Sequence, residues 1–151
     1  MLSITLDLGN LPSVLAAMSH PANAQRTANA MAERYVTEVH DFIDAGRGFT
    51  PRTGQLQQSI NWRPKGNGGA EVYANADYAS FVERGTEAHV IRPRDRQALR
   101  FPVGFGFAFA RVINHPGSRP QPFLLVDLEH RKDALQEAGM LMLAEIMADA
   151  E

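Results

Sequence analysis

The sequence predicts a mixed α+β domain, in which a small antiparallel sheet packs with one long helix in the N-terminal half and another at the C-terminus. Two long segments near the ends of the chain carry apolar residues at three- and four-residue steps, as amphipathic helices do. The region between them consists of short apolar segments separated by glycine and proline, which is typical of strands and turns. No regular strand–helix–strand alternation occurs, which disfavours a doubly wound parallel sheet.

Length and composition set the first limits. The 151 residues fit a single domain, predicted to span residues 1–151. Cysteine is absent, which excludes a disulfide framework and a thiolate nucleophile. No apolar run approaches the ~20 residues of a membrane span, and the first residues lack the pattern of a secretory signal. We therefore expect a protein made in the cytoplasm, with no membrane association.

The N-terminal third is predicted to hold a strand and two helices. Residues 2–8 alternate apolar and polar side chains, which indicates a strand. Residues 11–18 fit a short helix capped by Asn10, and residues 22–45 fit the first long helix, ended by Gly46. Its apolar stripe consists of Ala24, Ala28, Met31, Ala32, Tyr35, Val36, Val39, Phe42 and Ile43.

The middle of the chain reads as strands. Residues 59–63 and 70–75 are predicted to pair through a link longer than a two-residue turn. Residues 89–93 are predicted to be extended, and residues 99–103 and 107–113 to form two strands around Gly104-Phe105-Gly106. Because the aromatic residues fall on odd positions and Gly and Ala on even ones, we expect one bulky and one nearly bare face. The bare face fits either a neighbouring subunit or the long helix of the same chain.

The C-terminal part is predicted to be a stiff connector followed by a helix. Residues 114–124 contain three prolines, each with a fixed φ. Residues 123–151 then carry a helical apolar stripe. Its members are Leu124, Leu128, Leu135, Ala138, Met142 and Ile146, widened by Leu125, Leu141 and Leu143.

Charge is distributed unevenly although the net charge is only -2. Residues 84–119 contain seven arginines and two acidic residues, a net charge of +5, whereas residues 120–151 contain two basic and seven acidic residues, a net charge of -5. Two ordinary solvated faces would explain this split. Alternatively, the basic middle of one subunit contacts the acidic end of the next. On that alternative the candidate contact residues are Arg92, Arg94, Arg96, Arg100, Phe105, Phe107 and Arg119.

The sequence offers no catalytic or metal-binding constellation. It lacks the GxSxG and HExxH patterns, and no histidine has a partner at catalytic or metal-ligand spacing. Gly104-Phe105-Gly106 lacks the Lys-Ser/Thr end of a phosphate loop, and the acidic pI argues against a dedicated nucleic-acid binder. We therefore predict no enzyme activity, no cofactor and no metal, with a small hydrolase or binding protein as the weaker alternative.

Three short motifs carry a family resemblance. Residues 53–60 fit TGxLxxSI, residues 78–86 fit YAxxVExGT and residues 115–124 fit HPGxxPxPFL. In this order they resemble the tail-completion (minor tail, neck-joining) proteins of long-tailed bacteriophages. The matching residues are Thr53, Gly54, Leu56, Ser59, Tyr78, Glu83, Gly85, Thr86, His115, Pro116, Gly117, Pro122 and Phe123.

The resemblance implies a structural virion protein without catalysis. It would form a ring, six copies in this family, that completes the tail and joins it to the head–neck. The implied partners are further copies of the chain, the tail tube or terminator protein, and the neck or connector proteins below the portal. DNA would pass through the ring without sequence-specific binding. The implied location is the top of the tail in the virion and the host cytoplasm during assembly. A tail terminator or a head-side stopper of the same neck region is the alternative.

Overall fold

The computed structural model describes residues 1–6 and 20–148, and the predicted α+β class is confirmed. The predicted helix over residues 11–18, with its Asn10 cap, lies outside the described residues. None of the helices in the described ranges is long and apolar enough to cross a membrane. The strands are β1 (Leu2–Leu6), β2 (Ile60–Gly66), β3 (Gly69–Ala74), β4 (His89–Ile91), β5 (Leu99–Val103), β6 (Gly106–Ala110) and β7 (Ile113–His115). The helices are α1 (Pro21–Asp44), α2 (Gln55–Gln58), α3 (Ala79–Arg84) and α4 (Leu128–Ala148).

Helix α1 is the centre of the fold, because the main sheet and α4 both pack against it. Its N-terminus is defined by Pro21 and by His20, whose Nδ1 accepts a hydrogen bond from the Ala22 amide at 3.3 Å. Seven of the nine predicted stripe residues are buried, whereas Ala24 and Val36 are half-buried. The buried residues of α1 are Thr27, Ala28, Met31, Ala32, Tyr35, Val39, Phe42 and Ile43.

The main sheet is antiparallel with the strand order β1-β3-β2. Alternate residues of the central strand β3 are buried in the core shared with α1. The link between β2 and β3 is shorter than predicted: Gly66 pairs with Gly69, which leaves only Asn67 and Gly68 in the turn. Both have positive φ, 51° and 75°, as a type I′ turn requires. An irregularity in the strand pairing between Pro64 and Gly66 leaves Lys65 as the extra residue of β2.

Strands β5 and β6 form a hairpin that pairs with no other strand in the described chain. The prediction of one bulky and one bare face is wrong. Because the turn contains two residues, Phe101 pairs with Ala108 and Arg100 pairs with Phe109, so odd positions on one strand face the same way as even positions on the other. The two faces are Arg100, Pro102, Phe107 and Phe109 on one side and Leu99, Phe101, Val103, Gly106, Ala108 and Ala110 on the other.

Helix α4 begins at Leu128, five residues later than predicted. Asp127, with φ of 58°, breaks the helical path immediately before it. The buried stripe also differs from the prediction, since Leu128 and Leu141 are 45% and 62% exposed. The stripe consists of Arg131, Leu135, Gly139, Leu143 and Ile146.

Candidate assembly site

The second and third motifs meet at Phe123–Leu125, a non-helical segment at the end of the connector, before α4. The carboxylate of Glu83, at the end of α3, accepts hydrogen bonds from three successive backbone amides. Oε2 is 2.8 Å from the Phe123 nitrogen and 3.0 Å from the Leu124 nitrogen, and Oε1 is 2.9 Å from the Leu125 nitrogen. Glu83 is itself 5% exposed. These hydrogen bonds replace the hydration that the carboxylate loses on burial.

The carbonyl groups of the same segment are held from the opposite side. Arg131, only 2% exposed, donates to the Phe123 oxygen at 2.9 Å and to the Leu124 oxygen at 3.0 Å. The Tyr35 hydroxyl also donates to the Leu124 oxygen, at 2.5 Å, and accepts from Arg131 Nη1 at 3.2 Å. We call Glu83, Arg131 and Tyr35, with the segment Phe123–Leu125 between them, the clamp. It ties α1, α3 and α4 to one short piece of backbone.

The clamp gives the protein a predicted sensitivity to alkaline pH. Burial raises the pKa of the Tyr35 hydroxyl above its ordinary value, and Arg131 offsets this only in part. Above about pH 10 the unfolded state therefore releases a proton that the folded state retains, so stability falls as pH rises. We expect unfolding free energies measured in urea to decline more steeply with pH for the wild type than for Tyr35→Phe, by up to about 1.4 kcal/mol per pH unit. Equal slopes would contradict this assignment.

A second junction joins Thr86 to Ser118 and so brings together the two ends of residues 87–117. The backbones of Thr86 and Ser118 exchange two hydrogen bonds of 3.0 Å, and their hydroxyl oxygens lie 3.0 Å apart. Gly85 and Gly117 flank this bridge, and both have positive φ. A β-carbon on Gly85 would lie 2.5 Å from the Ser118 carbonyl oxygen, so the close approach of the two backbones requires glycine.

The first motif lies beside the second. Gly54, in left-handed conformation, precedes α2, and Leu56 is buried in the core. The Ser59 hydroxyl donates to the Leu56 carbonyl at 2.7 Å. A shallow pocket separates this elbow from α3. Its lining includes Thr53, Gly54 and Leu56 from the first motif, Tyr78 and Val82 from the second, and Gln121 from the connector.

We call residues 87–117, which lie between the two bridged residues Thr86 and Ser118, the arm. It contains two separate antiparallel ribbons, β4–β7 and β5–β6. At its base, His89 and His115 lie opposite each other with ring centroids 5.0 Å apart, and the Gly117 amide donates to His115 Nδ1 at 3.1 Å. Pro116, next to them, is exposed.

The predicted contact residues lie on or beside the arm, and all of them are exposed. Arg92, Arg94 and Arg96 lie in the loop that joins β4 to β5, and Arg119 lies one residue beyond the bridge. Phe105, at the tip of the hairpin, has a relative exposure of 115%. Val103, Phe107 and Phe109 are 57%, 57% and 68% exposed. The Arg100 guanidinium lies over the Phe107 ring, 3.6 Å from its centroid.

Sequence reasoning found the motif residues but not their partners. The structure brings Glu83 and Phe123 together, and the Phe123 ring packs edge-on against Phe49 with centroids 5.0 Å apart. Sequence reasoning did not identify Arg131 and Tyr35 as residues that act together. The available signal was a charged residue within the apolar stripe of the last helix, because a buried arginine requires several acceptors.

The described side chains also bear on chemistry. No group of three His, Asp or Glu residues in ranges 1–6 and 20–148 is placed to hold a metal ion. The buried carboxylate of Glu83 faces backbone amides rather than a cavity. What the arrangement offers is a rigid base that presents an exposed, arginine- and phenylalanine-bearing arm.

Comparison with known proteins gives one match. Residues 15–85 match the family model described as "Bacteriophage HK97-gp10, putative tail-component". The similarity to a phage tail family expected from the motifs is thereby confirmed over this range, which ends at Gly85, just before the arm. The third motif and α4 lie beyond it. No curated protein and no solved structure matches the chain.

Proposed function

Residues 15–85 are similar to a phage tail-component family, and on that premise we propose that the chain is a ring subunit that completes the tail and joins it to the head–neck. The observation that carries the proposal is the contrast between the clamp and the arm. A buried hydrogen-bond network fixes the connector, and the polypeptide just before it projects exposed aromatic and arginine side chains. Such a surface is typical of a protein that binds other proteins.

In this proposal the whole chain, residues 1–151, acts as one domain and as a structural part of the virion. The ring has six copies, each contacting the next through two different surfaces, because a head-to-tail interface closes by rotation. One side of the ring meets the tail tube or terminator protein, and the other meets the neck or connector proteins below the portal. DNA passes through the ring without sequence-specific contacts. Assembly takes place in the host cytoplasm, and no catalysis or cofactor is involved.

The second candidate function is another part of the same neck, a tail terminator or a head-side stopper. An exposed arm on a rigid base would serve either role. The three roles differ in what is lost without the protein. Without a joining ring, full heads and tails of normal length accumulate separately. Without a terminator, tails grow to uncontrolled length, and without a stopper, packaged DNA escapes from the head.

Deletion of the gene from the phage that carries it tests these alternatives by electron microscopy of the particles. We expect separate filled heads and tails of normal length, with joining restored by supplying the wild-type chain. Antibody against the chain should label the top of the tail in wild-type particles. The proposed function would be wrong if the deletion strain gave joined, infectious particles, or if wild-type particles lacked the chain.

The same complementation assay tests the role of the arm. The double reversal Arg94→Glu and Arg96→Glu should leave folding intact, since both side chains are exposed in a loop, and should abolish joining. The matched control reverses Arg52 and Lys65, two exposed residues outside the arm, and should join normally. If the two double variants joined tails to heads equally well, the loop arginines would not belong to the contact surface.

A further inference from the structure

We propose that the β5–β6 hairpin docks onto the outer face of α4 in a neighbouring copy of the chain. This deepens the proposed function, on which it rests, by naming the two surfaces that meet in the ring. The first is the arginine–aromatic face of the hairpin, Arg100, Pro102, Phe107 and Phe109. The second is the outer acidic face of α4, Asp133, Glu137, Met140, Leu141 and Glu145.

The hairpin surface has the composition of an unfilled interface. Phe107 and Phe109 are 57% and 68% exposed and lie on the same face of the ribbon. Arg100 covers part of the Phe107 ring while its guanidinium remains exposed to other acceptors. Aromatic residues and arginine are the side chains most enriched at the centre of protein interfaces. Two strands that pair only with each other also gain stability from packing on a partner.

The α4 surface is its counterpart in both charge and polarity. The buried stripe of α4 faces α1, and the outer acidic face is turned away from it, with Glu137 and Leu141 at the margin beside Arg34 of α1. Met140 and Leu141 are 68% and 62% exposed there. Methionine adapts to irregular partners, which suits a docking surface.

None of the ion pairs among the described residues involves a carboxylate on that face. The ion pairs found in ranges 1–6 and 20–148 join Arg34 to Glu38, Arg63 to Glu71 and Lys132 to Glu129. Asp133 and Glu137 lie four residues apart, a spacing at which like charges repel. Incoming arginines from an arm would relieve that repulsion.

Charge complementarity identifies the occupant as a second copy. The basic surplus of residues 84–119 equals the acidic surplus of residues 120–151, +5 against -5. Within one chain the hairpin does not rest on α4, since both surfaces are exposed. The contact therefore joins the arm of one copy to α4 of the next. An interface between two different patches continues from copy to copy and closes as a ring. Opposite charges would also fix its register.

The absence of cysteine from the chain allows a direct test. A variant carrying both Phe109→Cys and Leu141→Cys is treated with a short bis-maleimide, and the products are separated under denaturing conditions. We expect a ladder of covalent oligomers. A mixture of the two single variants should stop at the dimer, because each chain then has one reactive surface. Each single variant alone should stay monomeric.

The matched control pairs Phe109→Cys with Lys132→Cys, on an exposed position of α4 away from the outer acidic face, and should give no ladder. Adding Arg100→Glu to the Phe109→Cys and Leu141→Cys variant should remove the ladder as well. A missing ladder, an equal ladder from the Lys132 control, or dimers of Phe109→Cys alone would overturn the proposed contact. If the chain is present in joined particles and the ladder is missing, only this contact fails. If the ladder forms and particles lack the chain, the tail function fails.

Discussion

Replacing Glu83 with alanine is expected to reduce the free energy of unfolding by about 3–5 kcal/mol. The carboxylate satisfies the amides of Phe123, Leu124 and Leu125, and the first two residues are completely buried. Alanine would leave these donors without acceptors in a site that water does not reach. Urea unfolding followed by the fluorescence of Trp62, the only tryptophan, measures the effect.

The control for this prediction uses an exposed charge. Glu87→Ala, at the start of the arm, should change stability by less than about 0.5 kcal/mol. Arg131→Ala should also lower the free energy of unfolding. The Glu83→Ala/Arg131→Ala double variant should lose less free energy than the two single variants together, because both side chains hold one segment of backbone. A cost below about 1 kcal/mol for Glu83→Ala, or strictly additive losses, would show that the clamp does not hold the connector.

The clamp gives the VExGT and PFL motifs a common physical reason. A carboxylate at the end of α3 is useful only where consecutive amides face it, and the proline-rich connector presents three of them. The segment cannot continue as a helix because its amides bond to Glu83 and its carbonyls to Arg131. The clamp therefore also explains why α4 starts later than predicted. It holds the connector, and so the C-terminal end of the arm, in place.

Periodicity predicted the elements whose burial is one-sided. Helix α1 faces the sheet and α4, so its apolar residues recur at helical spacing, and the sequence shows this directly. Strands β2, β3 and β5 were also predicted close to their places, because glycine marks their turns. The strand predicted over residues 107–113 is wrong at its end, since β6 stops at Ala110 and Ile113 begins β7, which pairs with β4. These are local signals, and each segment contains its own.

Long-range pairing was beyond the reach of the sequence. The faces of the β5–β6 hairpin depend on the number of residues in its turn, and one residue more would have put Phe101 and Phe107 on the same face. The partners of Arg131 could not be predicted, because its acceptors, the carbonyl groups of Phe123 and Leu124, are backbone groups that carry no side-chain signature. Contacts between backbone groups and side chains distant in sequence cannot be predicted from the spacing of residues alone.

Substitution of Gly85 or Gly117 by alanine is expected to cost about 3–5 kcal/mol and to open the base of the arm. A β-carbon would lie 2.5 Å from the Ser118 oxygen in the first case and 2.3 Å from the Thr86 oxygen in the second, and neither backbone can retreat without breaking the Thr86–Ser118 bridge. The control is Gly46→Ala, which shares the positive φ of Gly85, 71° against 72°, but has open space around it and should cost only about 1 kcal/mol. Urea unfolding measures the cost, and faster hydrogen exchange at the Thr86 and Ser118 amides would locate it at the bridge. Equal costs at Gly85 and Gly46 would contradict this expectation, because the crowding around Gly85 would then add nothing to the cost.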